Sequence, residues 1–210
     1  MSETLLERTA TTGGKSGTTS TFPPVVAGID LSLTSTGVAV VHSRDLVLTH
    51  TVKSSPPKIE TIASRLSRME DVAGQILELV RPAQIVAIEA PAYAAAARSG
   101  KLHDRSGMWW HVVATLIADG KDVVEVAPTS RAMYATGKGN AGKDLVLATV
   151  VRMYRHVEVS GNDEADALVL AAMLARLTGQ PLEAGKLAEA KTRALTKVQI
   201  PIRYAGLNAA

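Results

Sequence analysis

Four acidic residues lie where short apolar segments end or where a helix begins, and their types suit metal-dependent hydrolysis. Asp30 lies near the end of the first apolar segment, and Glu89 closes a later, almost continuous apolar run. Asp163 and Asp166 are three residues apart, a spacing that places both on one side of a helix. Together they form the oxygen-only set that Mg²⁺ or Mn²⁺ prefers. Two such ions about 4 Å apart can activate water and stabilise the departing oxygen in phosphodiester hydrolysis.

Each acid taken by itself is more often structural than catalytic. Carboxylates are common in the loops that follow strands. An acid in the first turn of a helix is also stabilised by the helix dipole, whatever else it does. The ligand interpretation therefore depends on the four acids converging, which only particular neighbouring elements can achieve.

The hydrophobic pattern predicts those elements. Three strands with short links are predicted at 25–31, 36–42 and 46–53, and the short links indicate an antiparallel meander. Two more strands follow at 84–89 and 122–126. Helices are predicted at 58–80, 100–119, 129–136, 144–154 and 163–177. The order βββαβαβα predicts an α/β fold with a mixed five-stranded sheet flanked by helices on both faces. Because neighbouring parallel strands share a crevice at their carboxyl ends, Asp30 and Glu89 are expected to meet there.

Three segments of this predicted scaffold resemble a known family. They are Gly28 to Gly37 (GIDLSLTSTG), Val86 to Pro91 (VAIEAP) and Asn162 to Leu168 (NDEADAL). Their order and spacing resemble the RuvC family of Holliday-junction resolvases, which are ribonuclease-H-like nucleases. The resemblance covers about residues 25–178, and it implies that the family's catalytic, metal-binding tetrad falls on Asp30, Glu89, Asp163 and Asp166.

The same resemblance implies cofactors and partners. The family uses Mg²⁺, which Mn²⁺ is expected to replace, and two ions per active site are expected here. It acts as a homodimer that binds four-way DNA junctions and makes paired symmetric nicks. The helix containing Trp109 corresponds to the family's dimer helix.

A glycine-rich loop at 137–143 carries the lysines Lys138 and Lys143, which are expected to contact DNA phosphates. The resemblance implies that Lys143 is also the family's active-site lysine, and the family has a basic loop here. The loop matches the G-x-x-x-x-G-K part of a nucleotide-binding loop, but Asp144 follows where Ser or Thr is needed. The loop is also expected to follow a helix, so no nucleotide cofactor is predicted.

A second basic segment enters the predicted helix at 100–119. Arg98, Lys101 and Arg105 are spaced to form one face that could meet DNA phosphates, although an unpartnered surface face has the same pattern. Tyr93 resembles the family's base-contacting aromatic residue, but it follows Glu89 by four residues where the family usually has three.

Composition narrows the protein class. The net charge is +3, no cysteine is present to form disulfides or thiolate metal sites, and no apolar run is long enough to span a membrane. These properties favour a cytoplasmic protein, of bacterial or bacteriophage type by the resemblance. We expect a disordered leader at 1–22, a nuclease domain at 23–180 and a basic, helical tail at 181–210.

The sequence therefore predicts a crossover junction endodeoxyribonuclease. One alternative is a relaxed nuclease that cuts flaps, forks or three-way branches. Another is an ATPase of the actin or sugar-kinase type, whose first hairpin also contains Ile-Asp followed by Ser, Thr and Gly, but 210 residues leave little room for its second half. A catalytically inactive junction-binding protein is the third, and the complete acidic set argues against it.

Overall fold

The computed structural model describes residues 23–91 and 101–204, and in them the predicted mixed five-stranded sheet is confirmed. Its strands are β1 (Val26–Asp30), β2 (Ser35–Ser43), β3 (Leu46–Lys53), β4 (Ile85–Glu89) and β5 (Asp122–Val126). Their order across the sheet is β3-β2-β1-β4-β5. Strands β1 to β3 form the expected antiparallel meander, whereas β1, β4 and β5 run parallel to one another. The carboxyl ends of β1 and β4 therefore lie side by side, as expected for neighbouring parallel strands.

Helices follow the predicted order with small differences at their ends. They are α1 (Ile62–Leu79), α2 (Leu102–Ala118), α3 (Pro128–Thr136), α4 (Lys143–Met153), α5 (Asn162–Leu177) and α6 (Glu189–Leu195). Helix α1 begins later than expected because Thr61 and Ser64 form a reciprocal capping box that fixes its first turn. Helix α3 begins at Pro128 itself, since the fixed φ of proline suits the first helical position. None of the helices in the described residues is both long and apolar enough to cross a membrane.

The sheet has a helical layer on each face, and alternate residues of its strands serve the two layers. In β1, Val26 packs into the core that contains α3, α4 and α5, whereas Ala27 and Ile29 pack towards α1 and α2. Because side chains alternate along a strand, Gly28 and Asp30 face the same layer as Val26. The acid at the end of β1 therefore points towards α5.

Helix α5 lies directly on β1 and β2, and two glycines make this approach possible. A Cβ at Gly28 would lie 2.2 Å from the carbonyl oxygen of Ala167, and a Cβ at Gly37 would lie 1.9 Å from that of Asp163. Neither strand could carry a larger residue there without moving the helix. Every residue of α5 from Glu164 to Ala175 is buried, as expected for a helix enclosed by sheet and neighbouring helices.

The segment at 181–204, expected to be a tail outside the nuclease domain, packs on the core in the structure. It carries α6 as the expected helix, but Leu182, Ala194 and Val198 are buried in the same core as α5. The side chain of Glu183 accepts hydrogen bonds from the hydroxyls of Tyr134 and Tyr154. Burial of this segment adds apolar area that a core ending at 180 would lack. The leader at 1–22 lies outside the described residues.

Candidate active site

Asp30 and Glu89 are neighbours at the carboxyl edge of the sheet. The register pairs Ile29 with Ile88 in parallel, so the next residue on each strand is an acid, and both line one cleft. Burial, reinforced by the negative charges of Glu89 and Asp166, raises the pKa of Asp30 to about 7. Ionising Asp30 in this buried acidic environment is therefore costly unless a positive charge lies close to it.

Asp163 and Asp166 come to the same edge from the first turns of α5. The hydroxyl of Ser35 donates a hydrogen bond to Asp163 Oδ2 at 2.6 Å, and Lys143 Nζ lies 3.5 Å from Asp163 Oδ1. Asp166 is 1% exposed, and burial raises its pKa to about 6 although Arg131 opposes the shift. Its Oδ2 atom is buried without a hydrogen-bond partner in the described part of the chain. An orphaned carboxylate oxygen in this position is available to a cation.

Arg131, on α3, is a site residue that the sequence analysis missed. Its Nε donates a hydrogen bond to Glu89 Oε2, and its Nη1 donates one to Asp166 Oδ1. Burial opposes the charge, but Glu89 and Asp166 outweigh it and raise the pKa of Arg131. The only sequence signal was its position in the first turn of the helix that follows β5; the pairing of β5 with β4, which brings that turn to Glu89, is seen in the structure.

The cleft in front of these acids has a volume of about 460 Å³. Its walls combine carboxylates, the turn after β1 and the first half of α2, and they include Asp30, Glu89, Asp163, Lys143, Arg105 and Trp109. The indole N–H of Trp109 donates a hydrogen bond to the backbone oxygen of Glu89 at 2.9 Å. This bond fixes the end of β4 against α2 and so helps to position the acid.

The carboxylate oxygens of the four acids are chemically suited to bind a hard divalent cation. Carboxylate oxygens are the ligands that Mg²⁺ and Mn²⁺ prefer, and Asp166 offers one that no described residue pairs with. Over the described ranges, however, no three Asp, Glu or His side chains are already arranged as a metal site. In this structure the acids are paired with protein groups instead: Arg131 contacts Glu89 and Asp166, while Ser35 and Lys143 contact Asp163.

Glu164 anchors the start of α5 from the other side of the helix. It is 5% exposed and accepts hydrogen bonds from the hydroxyls of Thr49 and Thr51 on β3 and from the backbone N–H of Ser160. These bonds lower the pKa of Glu164 although burial alone would raise it. The helix turn that carries Asp163 is therefore held to the sheet by an ionised side chain.

Of the residues predicted to contact DNA, two line the cleft and two others lie outside its walls. Arg105 lines the cleft, and Lys143 reaches it from the first residue of α4. Lys101 is exposed and lies 3.6 Å from Glu60, outside the walls of the cleft. Lys138 is exposed in the glycine loop, which follows helix α3 as expected. Tyr93 and Arg98 lie outside the described residues.

Comparisons with known proteins point to one family. No protein-family model matches the chain. The chain is 34% identical over 150 residues to the crossover junction endodeoxyribonuclease RuvC of Anaeromyxobacter dehalogenans, a match that covers 70% of this chain and 78% of that protein.

Solved structures of RuvC match a similar share of the chain. The structure of Thermus thermophilus RuvC superposes with a TM-score of 0.56 at 23% identity, covering 74% of this chain and 97% of that one. The complex of T. thermophilus RuvC with a Holliday junction substrate gives a TM-score of 0.52 at 24% identity, covering 73% and 92%. At these identities the likeness shows a shared fold.

Proposed function

Because this chain belongs to the RuvC family of crossover junction endodeoxyribonucleases, we propose that it resolves four-way DNA junctions by paired symmetric nicks. The observation that carries this proposal is the convergence of four carboxyl groups at one edge of the sheet, beside a cleft with basic residues at its rim. Three separate elements, β1, β4 and α5, supply the acids. Arg131 and Lys143 can offset only part of the charge of four carboxylates, so a bound cation would stabilise the ionised cluster, which argues for a metal-dependent reaction.

Asp30, Glu89, Asp163 and Asp166 are the residues that would hold Mg²⁺ or Mn²⁺, with two ions per site. When bound, these ions supply the Lewis acidity that makes water a nucleophile and polarises the phosphodiester. Lys143 lies 3.5 Å from Asp163 and is 60% exposed, so it can reach a phosphate in the cleft and stabilise the charge that develops there. Arg105 and Lys138 add sequence-independent phosphate contacts.

The second partner is another copy of this chain. Trp110 is 65% exposed and Ile117 is 58% exposed, and both lie on α2, seven residues apart and therefore on one face of the helix. Large apolar residues on one helix face are typical of interaction surfaces. A homodimer through this face would bring two active sites to one junction, as paired nicks require.

The assignment of the acids is tested with Asp30→Asn and Asp166→Asn. Each substitution removes a charged ligand without changing the size of the side chain, so cleavage of a synthetic four-way junction in Mg²⁺ should stop. Junction binding in Ca²⁺ should persist, because the basic residues are untouched. Asp45→Asn, an exposed acid in the turn between β2 and β3, is the matched control and should cleave normally.

Wild-type cleavage by either site variant would refute the assignment. A relaxed branched-DNA nuclease is distinguished with the same protein by comparing cleavage rates on four-way, three-way and flap substrates. Equal rates on the three substrates would favour the relaxed enzyme.

A further inference from the structure

We propose that Arg131 is a built-in cation of the metal site, which holds Glu89 and Asp166 together before metal binds and limits the affinity of the site for divalent ions. This inference rests on the proposed function, because it takes these two acids as metal ligands. It makes Arg131 a positioning residue, since its contacts are with the two acids.

The geometry makes Arg131 a cross-link between elements. Two different nitrogens of one guanidinium contact acids from β4 and from α5, while the backbone of Arg131 belongs to α3. The side chain of Arg131 is 9% exposed, and those of its two partners are 15% and 1% exposed. Because the guanidinium is planar and rigid, it fixes the distance between the two carboxyl groups as well as their charge.

Electrostatics gives this cross-link two opposite effects. Without a cation, Glu89 and Asp166 would leave uncompensated negative charge in a buried place, so Arg131 stabilises the metal-free protein. Arginine stays protonated at all accessible pH values, so the positive charge remains when a metal ion arrives. The ion must then bind beside a fixed positive charge, which lowers its affinity.

The contacts also show how metal and arginine can share one acid. Arg131 uses Oδ1 of Asp166, whereas Oδ2 is buried and has no hydrogen-bond partner among residues 23–91 and 101–204. An ion can take Oδ2 while Arg131 keeps Oδ1. Arg131 therefore presents Asp166 in a defined orientation, and the site gains preorganisation while it loses affinity.

The test is calorimetric titration of the purified full-length protein with MnCl₂, without DNA, together with thermal unfolding in EDTA. Arg131→Gln should bind Mn²⁺ at least about tenfold more tightly than wild type. Its unfolding temperature should fall in EDTA and recover in Mn²⁺. Arg131→Lys keeps the positive charge but loses the planar guanidinium that contacts both acids, and it should bind Mn²⁺ several-fold more tightly than wild type.

Arg176→Gln is the matched control, because Arg176 is a partly buried arginine paired with Glu183 in the last turn of α5, whereas Asp163 and Asp166 lie near the start of that helix. It should lower the unfolding temperature and leave the Mn²⁺ affinity unchanged. Unchanged or weaker Mn²⁺ binding by Arg131→Gln would overturn the inference. If that variant does not fold, unchanged or weaker binding by Arg131→Lys does so instead. Failure of the wild type to bind Mn²⁺ would count against the proposed metal-dependent function itself.

Discussion

Replacing Gly28 by alanine should both destabilise the protein and slow DNA cleavage, because α5 packs directly on the backbone of this residue. The added Cβ would lie 2.2 Å from Ala167 O, 2.5 Å from Ala171 N and 2.8 Å from Leu170 Cβ. Two of these three atoms belong to the helix backbone, which cannot rotate away as a side chain can. The whole helix must therefore move.

The size of the effect follows from that movement. Overpacking of a core usually costs about 1–3 kcal/mol, and contacts with backbone place this variant near ~3 kcal/mol. For a domain of this size, such a loss lowers the unfolding temperature by about 6–12 °C. Restoring normal contact requires a shift of roughly 1 Å, which moves Asp163 and Asp166 relative to Asp30, and misplacement on that scale can cost about 100-fold in rate.

Thermal unfolding and single-turnover junction cleavage measure the two effects on the same samples. Gly74→Ala is the control, since Gly74 is an exposed residue of α1 and a Cβ added there would lie more than 4 Å from other atoms of the described residues. That substitution should stabilise α1 by about 0.5–1 kcal/mol and leave cleavage unchanged. Wild-type stability and cleavage in Gly28→Ala would refute the close contact of α5 with β1.

Other contacts give three further predictions. Lys143→Ala should slow single-turnover cleavage by about 100-fold. Its exposed ion pair with Asp163 contributes less than about 1 kcal/mol, so the stability measured in urea should change little. An unchanged cleavage rate would contradict the role of Lys143 in stabilising charge on the phosphate. Glu164→Gln should lose about 1.5–3 kcal/mol in urea unfolding and also slow cleavage, because charge-assisted bonds hold the turn that carries Asp163; loss of stability with full activity would contradict this positioning. Glu183→Ala should destabilise by at least ~2 kcal/mol, since it leaves two buried tyrosine hydroxyls unpaired; an unfolding midpoint equal to that of wild type would show that these bonds contribute nothing.

The sheet and the acidic edge could be predicted because they follow from local patterns. The apolar runs that end in Asp30 and Glu89 identify two buried strands, and parallel strands place such ends side by side. The three-residue spacing of Asp163 and Asp166 is equally local, since it depends only on the helix period. Helix ends were less accurate, because the capping box of Thr61 and Ser64 uses a serine where glutamate or glutamine is the usual sign.

Contacts across long stretches of sequence could not be predicted in the same way. Arg131 is separated from Glu89 by 42 residues and from Asp166 by 35, and no periodicity links them. The same applies to Glu183, whose partner Tyr134 lies 49 residues away. The scattered apolar residues of the segment 181–204 have no helical or strand period, so their burial becomes visible only when α3 and α4 are in place.

The packing of α5 on β1 also has a consequence for how the activity arises during folding. Asp30 belongs to the first strand, and Asp166 belongs to a helix more than a hundred residues further along the chain. The site is therefore built from contacts between residues far apart in sequence. Such contacts must close a long loop, and proteins that depend on them fold more slowly. A growing chain that ends before α5 has Asp30 and Glu89 but lacks the other two acids. Nuclease activity therefore requires α5 to be packed on β1, so we expect its recovery after denaturation to follow the formation of that contact.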